Sequence, residues 1–186
     1  MHLNPLELIE ELLHRRYFGK YRGKVVDNND LMRLGRVKVT VDGIIDSGGL
    51  WAWPCVPYAG PSVGFHCLPP SGAMVWVEFE GGDASFPIWT GCLWAMGELP
   101  SEVLTSDTRL LRTEKAQITI NDLVGEVAIK NETEASVTLA LDVKTEAAGV
   151  STHTVGALGV VSESVPGKLE VGAAGVNINN GAFTVI

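Results

Sequence analysis

Hydrophobic residues near the N-terminus recur at helical spacing. Leu6, Ile9 and Leu13 make one apolar stripe, and Asn4 followed by Pro5 is typical of a helix start. The pattern predicts a helix within residues 1–20. The stripe fits two interpretations, and the sequence leaves both open: packing on the barrel that follows in the same chain, or docking on a neighbouring subunit.

From Tyr21 the spacing of apolar residues changes from helical to alternating. Five short strand regions, separated by turn residues, follow within residues 21–98. Their ranges are 23–27, 35–41, 51–58, 73–79 and 87–93. So many short strands in one stretch predict a small closed barrel of the OB type. The residues that we expect on the barrel are Val37, Val39, Val75, Val77, Phe79 and Ile88.

Alternation returns in residues 116–186 as a series of shorter units, after a segment at 99–115 that we interpret as a linker or neck. Apolar residues alternate there with small or polar ones, and Gly, Asn and Asp lie between the runs. The residues expected to face a common core are Ile118, Ile120, Val127, Ile129, Val137, Leu139, Leu141, Val143, Val176 and Ile178.

Aromatic residues are distributed very unevenly along the chain. All five Trp and all three Tyr lie in residues 1–100, whereas Phe183 is the only aromatic residue after them. A back half so poor in large side chains cannot easily bury a core of its own. Three chains wound together would pair one another's strand edges and close three apolar stripes on one axis. We therefore predict an all-β homotrimer, with the C-terminal half forming an intertwined triple-stranded β-helix, or needle.

Charge and hydropathy narrow the classes of function. The formal net charge is −8, which is unfavourable for binding nucleic acid because Lys and Arg supply most of that affinity. No run of apolar residues is long enough to span a membrane, and residues 1–13 lack the cationic start of a signal peptide. We expect a chain that is made as a soluble protein and exported, if at all, by other means.

Residue types that can bind metals or catalyse reactions occur in this sequence, but not with the spacing that a metal site or an active site requires. Cys55, Cys67 and Cys92 form no Cys-x-x-Cys pair, so we expect buried free thiols. Glu78 and Glu80 lie side by side on one strand and cannot flank a glycosidic bond. Phosphate loops, nucleophile elbows and His-Glu-x-x-His motifs are missing from the sequence. We predict no enzymatic activity, no cofactor and no metal.

Several motifs in residues 17–95 resemble one family when taken in order. LGRVKV at 34–39 is followed by WPCVPYAGPSVGFHCLPPSGAMVWVEFEGGD at 53–83 and FPIWTGCLW at 86–94. This order resembles the OB domain of phage baseplate assembly protein V and of the valine-glycine repeat spikes of type VI secretion. Single pieces such as Gly-Gly-Asp are weak signals, but their combined order is fairly specific.

The resemblance implies a structural central spike of a contractile injection machine. Such a trimer docks on a baseplate hub at its N-terminal side, carries a PAAR-like tip protein at its C-terminus and pierces the target cell envelope on contraction. It is made in the cytoplasm of the producing cell and resides in the baseplate of a virion or tail particle. The resemblance does not extend to the residues of the back half, so the needle is a prediction from pattern and analogy.

The chain departs from this family in two respects. The residues after the barrel are too few for the lysozyme-like domain that some spikes carry. The His-x-His pair that binds iron at the tip of others is also missing, since His153 is the only histidine in the second half. Three copies of His153 form a weak candidate for a metal site on the axis, and a solvated turn histidine is the more ordinary interpretation.

A second class of function is an oligosaccharide-binding or adhesion module built on the OB barrel. Trp51, Trp53, Trp76 and Trp89 would stack on sugars if their rings were exposed.

Overall fold

The computed structural model describes residues 4, 6, 9–10 and 16–185, which divide into two compact units, Met1–Leu99 and Pro100–Ile186. Most of the predicted N-terminal helix lies outside the described residues. Within them, Leu6, Ile9 and Glu10 are helical, and the Leu6 amide donates a hydrogen bond to Asn4 Oδ1 at 3.2 Å. A side-chain oxygen that accepts from the amide two residues later is typical of an N-cap residue.

Five strands of the first unit form a closed barrel. They are β1 (Tyr21–Asp27), β2 (Val37–Val41), β3 (Ile45–Pro54), β6 (Met74–Phe79) and β7 (Pro87–Leu93), with a small hairpin of β4 (Ala59–Gly60) and β5 (Val63–Gly64) between β3 and β6. The order around the barrel is β1-β2-β3-β7-β6, and β6 pairs with β1 to close it. The pairing of β3 with β7 is parallel, and the other four are antiparallel. This is an OB-like barrel.

The barrel core is made by alternate residues of these strands, as a period of two requires. The buried apolar residues are Val25, Val37, Val39, Val41, Ile45, Ala52, Val75, Val77, Phe79 and Trp89. Ile88, which we expected on the barrel, lies in β7 and is half-buried, whereas its neighbours Pro87 and Trp89 are buried. Trp89 fills the interior because its ring is larger than the side chain of Ile88 and its Nε1 reaches the Gly35 carbonyl oxygen at 3.4 Å.

The segment before β1 packs on the 3-10 turn Glu80–Gly82 that follows β6. The Tyr17 amide donates to the Gly82 carbonyl oxygen at 2.8 Å, and Arg16 Nη1 donates to the Gly81 carbonyl oxygen at 3.0 Å. The rings of Tyr17, Tyr21 and Phe79 form a cluster with centroids 5.5 to 6.1 Å apart. These contacts pack the rings of Tyr17 and Tyr21 against the barrel core.

The second unit is a single antiparallel sheet in which each of ten strands pairs with the next along the chain. Its strands are β8 (Thr108–Arg112), β9 (Ala116–Asn121), β10 (Glu126–Asn131), β11 (Ser136–Leu139), β12 (Val143–Ala147), β13 (Ser151–Gly156), β14 (Gly159–Ser164), β15 (Gly167–Gly172), β16 (Gly175–Ile178) and β17 (Phe183–Val185). A 3-10 turn, Asn179–Gly181, joins the last two. These backbone hydrogen bonds lie within one chain, whereas our needle prediction expected strand edges to be paired by neighbouring chains.

Two details of this sheet differ from the sequence-based expectations. Strand β8 lies inside the range 99–115 that we interpreted as a linker, because Thr-Arg-Leu-Leu-Arg does not alternate and so gave no strand signal. Leu141, expected in the core, is in the turn between β11 and β12 and is fully exposed. Leu139 pairs with Val143 across that turn, so the alternation continues through Leu141 without a break and conceals the turn.

Candidate functional site: the uncovered face of the C-terminal sheet

The register of the ten strands aligns apolar residues in columns across one face. Directly paired residues of antiparallel strands present their side chains on the same side of a sheet. The pairs Ile120 with Val127 and Val127 with Leu139 begin one such column. The column that they begin is unbroken from β9 to β17, and we call it the outer column: Ile120, Val127, Leu139, Val143, Val155, Val160, Val171, Val176 and Val185.

A second column lies beside the outer column. On each strand its residue is two positions away from the residue of the outer column. This middle column consists of Ile118, Ile129, Val137, Thr145, His153, Ser162, Leu169, Ile178 and Phe183. Its other side is flanked mainly by small residues: Ala116, Ala147, Ser151, Ser164 and Gly167. We call the two columns and this small-residue edge the apolar face. From β9 to β17 it carries no charged side chain among the described residues.

No other element covers the apolar face within the described part of the chain. Between residues 101 and 183 no described residue is buried, and the exposed fraction is 39% for Ile118 and 51% for Ile129. On β9 the apolar Ile118 and Ile120 are more exposed than the polar residues that precede them, Gln117 and Thr119. This is the reverse of what burial of apolar surface favours in an isolated chain.

The opposite face of the sheet is polar, and several of its charged side chains pair with one another. Lys144 pairs with Glu146 at 2.6 Å, and Lys168 pairs with Glu170 at 2.6 Å. Glu170 hydrogen-bonds to the Lys168 ammonium and raises the pKa of that lysine. Asn177 Nδ2 donates to Glu170 Oε2 at 3.0 Å on the neighbouring strand. Charged side chains on one face and aliphatic ones on the other are typical of a sheet with one solvated and one covered side.

The residues expected in the needle core lie on the apolar face, with the exception of Leu141. The outer column holds Ile120, Val127, Leu139, Val143 and Val176, and the middle column holds Ile118, Ile129, Val137 and Ile178. The sequence analysis missed Val155 and Val160, which face each other at the ends of β13 and β14. A signal was available there, since both valines flank the turn Gly-Ala-Leu-Gly at 156–159.

His153 is not in a turn, where we expected it. It lies in the interior of β13 and in the middle column, paired with Thr145 on one side and Ser162 on the other. Its Nδ1 is 2.6 Å from Ser162 Oγ. Within the described residues of one chain, no group of three or more His, Cys, Asp or Glu side chains could hold a metal ion.

On the barrel, Arg36 organises the connection between β1 and β2. Its Nη2 and Nε donate to the two carboxylate oxygens of Asp30 at 2.8 and 3.1 Å, and the amides of Met32 and Leu34 donate to the same carboxylate. The Arg36 guanidinium holds the pKa of Asp30 well below its usual range, and the two amides act in the same direction. This bidentate pair fixes the loop before β2.

The tryptophan rings that would stack on sugars already contact arginine side chains or lie in the barrel core. Arg36 lies over the rings of both Trp51 and Trp53, at 5.5 and 5.7 Å from their centroids. Arg22 lies 5.9 Å from the ring centroid of Trp76, and Trp89 is buried in the core. The arrangement therefore leaves less aromatic surface for stacking than the sequence suggested.

The candidate catalytic groups do not form a site either. Glu78 is paired with Lys20 at 2.6 Å, so its carboxylate already has a cationic partner. The three cysteines are free thiols, as expected, but all three are exposed on the barrel instead of buried. Partial burial raises the pKa of the Cys92 thiol, which makes the reactive thiolate less abundant.

A helix with the length and hydropathy to cross a bilayer does not occur in the described part of the chain.

The closed five-stranded barrel defines the first unit as an OB-type domain. Residues 21–94 match the family model of the type VI secretion system/phage-baseplate injector OB domain, so the barrel is similar to the OB domains of phage baseplates and type VI injectors. The match spans β1 to β7 and ends before the C-terminal sheet, covering about two fifths of the chain. No curated protein matches the chain.

Proposed function

We infer that the chain is the structural central spike of a contractile injection machine, in a phage tail, a tailocin or a related particle. The family of the barrel supports a baseplate or injector role. The observation that carries the rest is the apolar face, nine strands long and uncovered in the single chain. An exposed apolar surface of this extent marks an interaction site in a soluble protein.

The occupant that we propose for the apolar face is the same face of two further copies of the chain. The face lacks charge, so three copies can meet without unpaired ions. The columns run from β9 to β17, so copies aligned strand by strand over these nine strands bury the same length of one another. Three copies follow from the resemblance of the barrel to trimeric spikes, and closure around an axis leaves the charged faces in water.

In this assembly the two units have different tasks. The barrel docks on the baseplate hub at the N-terminal side, and the C-terminal sheet contributes one wall of the needle that enters the target cell envelope. The last strand, β17, leaves one edge free within the described residues and continues both columns with Phe183 and Val185. A PAAR-like tip protein is the partner that we propose for that end. The role is mechanical and non-enzymatic.

The test is the oligomeric state of the full-length chain. Native mass spectrometry and light scattering at micromolar concentration should give a trimer, and electron microscopy should show a needle attached to the barrels. Hydrogen exchange should show slow exchange in β9 to β17, because covered sheet amides open rarely. A stable monomer whose sheet amides are protected would rule out the needle.

A further inference from the structure

The middle column of the apolar face is interrupted by polar residues at one level. Thr145, His153 and Ser162 face one another on β12, β13 and β14. On either side of them the column is apolar, with Ile118, Ile129 and Val137 before and Leu169, Ile178 and Phe183 after. The outer column has no interruption at this level, since Val143, Val155 and Val160 continue it.

Polar groups at this level are partly satisfied within one chain. Ser151 Oγ donates to Ser164 Oγ at 2.9 Å, and His153 Nδ1 lies 2.6 Å from Ser162 Oγ. His153 Nε2 makes no hydrogen bond with any described residue, and the side chain is exposed in the single chain. If three copies cover the apolar face, this nitrogen leaves water, and an unsatisfied polar atom in an apolar interior is unfavourable.

The contact with Ser162 also affects whether His153 Nε2 can bind a metal ion. When the serine oxygen accepts the Nδ1 proton, the lone pair of the imidazole is on Nε2, and the ring is held in one orientation. Histidines that bind metals are oriented in this way by a hydrogen bond from their other ring nitrogen.

The position of His153 across the strand makes it the residue that points to a shared axis. On β13 the apolar face has three residues, Ser151, His153 and Val155, of which His153 is the central one. In a sheet that forms one wall of a threefold assembly, central residues of the three walls converge on the axis, while the flanking residues meet near the corners. Three Nε2 atoms at one level then approach one point.

We propose that the trimer binds one divalent transition-metal ion, such as Zn²⁺, through Nε2 of three His153 side chains. This inference depends on the trimer proposed above. Neutral imidazole suits zinc, copper, nickel and iron, and three histidines leave a fourth coordination position open. The described residues of the apolar face include no carboxylate, so the fourth ligand comes from solvent as water, hydroxide or a halide.

The experiment uses full-length chain without a polyhistidine tag, stripped with chelator and then titrated with Zn²⁺ alone. Native mass spectrometry should show trimers that gain one zinc ion each. His153→Val should remove that ion while the trimer remains, because valine continues the apolar column. Ser162→Ala should weaken zinc binding by roughly 10- to 100-fold, since it removes the group that orients the imidazole. His66→Val, in the barrel, is the matched control and should bind zinc as the parent does.

Co²⁺ gives a second readout, since its visible spectrum reports whether the ion is held by nitrogen ligands in a low-coordinate site. That spectrum should be present in the parent and in His66→Val and lost in His153→Val. If the trimers take up no zinc, or if His153→Val trimers still bind it, the proposed metal site is wrong and the trimer is still supported. A monomeric parent chain would overturn the trimer and, with it, the metal site.

Discussion

The barrel and the C-terminal sheet are built from the same kind of aliphatic residues but differ in where those residues are covered. In the barrel, Val25, Val39 and Val77 are almost fully inaccessible to solvent. In the sheet, Ile118, Val143 and Val155 retain about 40% of their exposure although their strands are fully paired on both sides. A barrel closes on itself and so surrounds its own core, whereas a single flat layer can pair its backbone but cannot cover its own face.

This difference separates two requirements of a β-structure that are usually met together. Apart from the two edge strands of the sheet, β8 and β17, the strands of the barrel and of the sheet are paired on both sides within the chain, so pairing alone does not decide whether a unit is complete. Apolar side chains are buried within the chain only in the barrel. Stability of the barrel should therefore be independent of protein concentration, while that of the sheet should depend on the assembly.

The largest expected effect comes from placing a charge on the apolar face. Val155→Asp puts a carboxylate in the outer column of each copy, and burying an unpaired charge costs about 3–5 kcal/mol or more. We expect native mass spectrometry to show monomers with an intact barrel.

The matched control for that change is Thr154→Asp, one residue earlier and on the polar face. It should remain trimeric. A trimer of Val155→Asp with parent-like stability would show that the apolar face is not the interface.

Truncation of one phenylalanine in each unit should have different effects on stability. Phe79→Ala removes a buried ring from the barrel core and should lower the free energy of unfolding of the barrel by about 3–5 kcal/mol at any protein concentration. Phe183 is 59% exposed on β17, so Phe183→Ala should alter only the assembled form. Thermal unfolding measured at two protein concentrations distinguishes a loss of barrel stability from a loss of assembly. If both changes destabilised a monomer equally, the two units would not differ in where their apolar residues are covered.

A smaller effect is expected from a glycine between two strands of the sheet. Gly159 has a φ of +136°, and a Cβ at this position would overlap the Val171 carbonyl oxygen on the neighbouring strand. Gly159→Ala should cost roughly 1–3 kcal/mol and speed hydrogen exchange in β14 and β15.

Gly43, in the barrel, is the control for Gly159. Its φ is +75°, but no atom lies within 4 Å of a Cβ there. Gly43→Ala should carry only the conformational cost, roughly 1–2 kcal/mol, and leave exchange in the sheet unchanged. Unchanged exchange in β14 and β15 of Gly159→Ala would argue against the pairing of Gly159 with Gly172.

The smallest expected effect is a pH dependence confined to the barrel. The pKa of Asp30 is lowered in the folded chain by Arg36, so ionised Asp30 stabilises the fold above its unfolded pKa of about 3.9, and this contribution is lost as pH falls below that value. Asp30→Asn should lower the melting temperature of the barrel at neutral pH, and the difference from the parent should shrink in acid.

Asp42, which is exposed in the turn after β2, provides the control for Asp30. Asp42→Asn should not reproduce the pH-dependent difference. A difference between Asp30→Asn and the parent that stays constant from pH 7 to pH 3 would show that the ion pair with Arg36 does not stabilise the fold.

The barrel was largely predictable because its signals are local and agree with one another. The five strand regions alternate, turn residues separate them, and Val37, Val39, Val75 and Val77 point inward by parity alone. On β7 the sequence left the inward face open. Ile88 and Trp89 are both apolar neighbours, so alternation could not decide which of them faces the core, and packing volume decided it.

For the sheet, alternation predicted the faces of most strands but not where the strands end. Leu141 was misplaced because alternation passes unchanged through a turn whose flanking residues, Leu139 and Val143, pair with each other. Strand β8 was missed because its two leucines are adjacent. His153 was expected in a turn, and its position in the middle column depends on the pairing of β12, β13 and β14, which no single segment specifies.

Taken by itself, the sequence determined that the chain has an aromatic-rich barrel followed by an aromatic-poor run of strands, because residue type and a period of two are properties of each segment. The tertiary structure decided which strands are neighbours, and therefore which side chains form one uncovered face and which polar residues interrupt it. The physical reason is that cross-strand register joins residues distant in sequence, and it is fixed by hydrogen bonds and turns that act on the sheet as a whole.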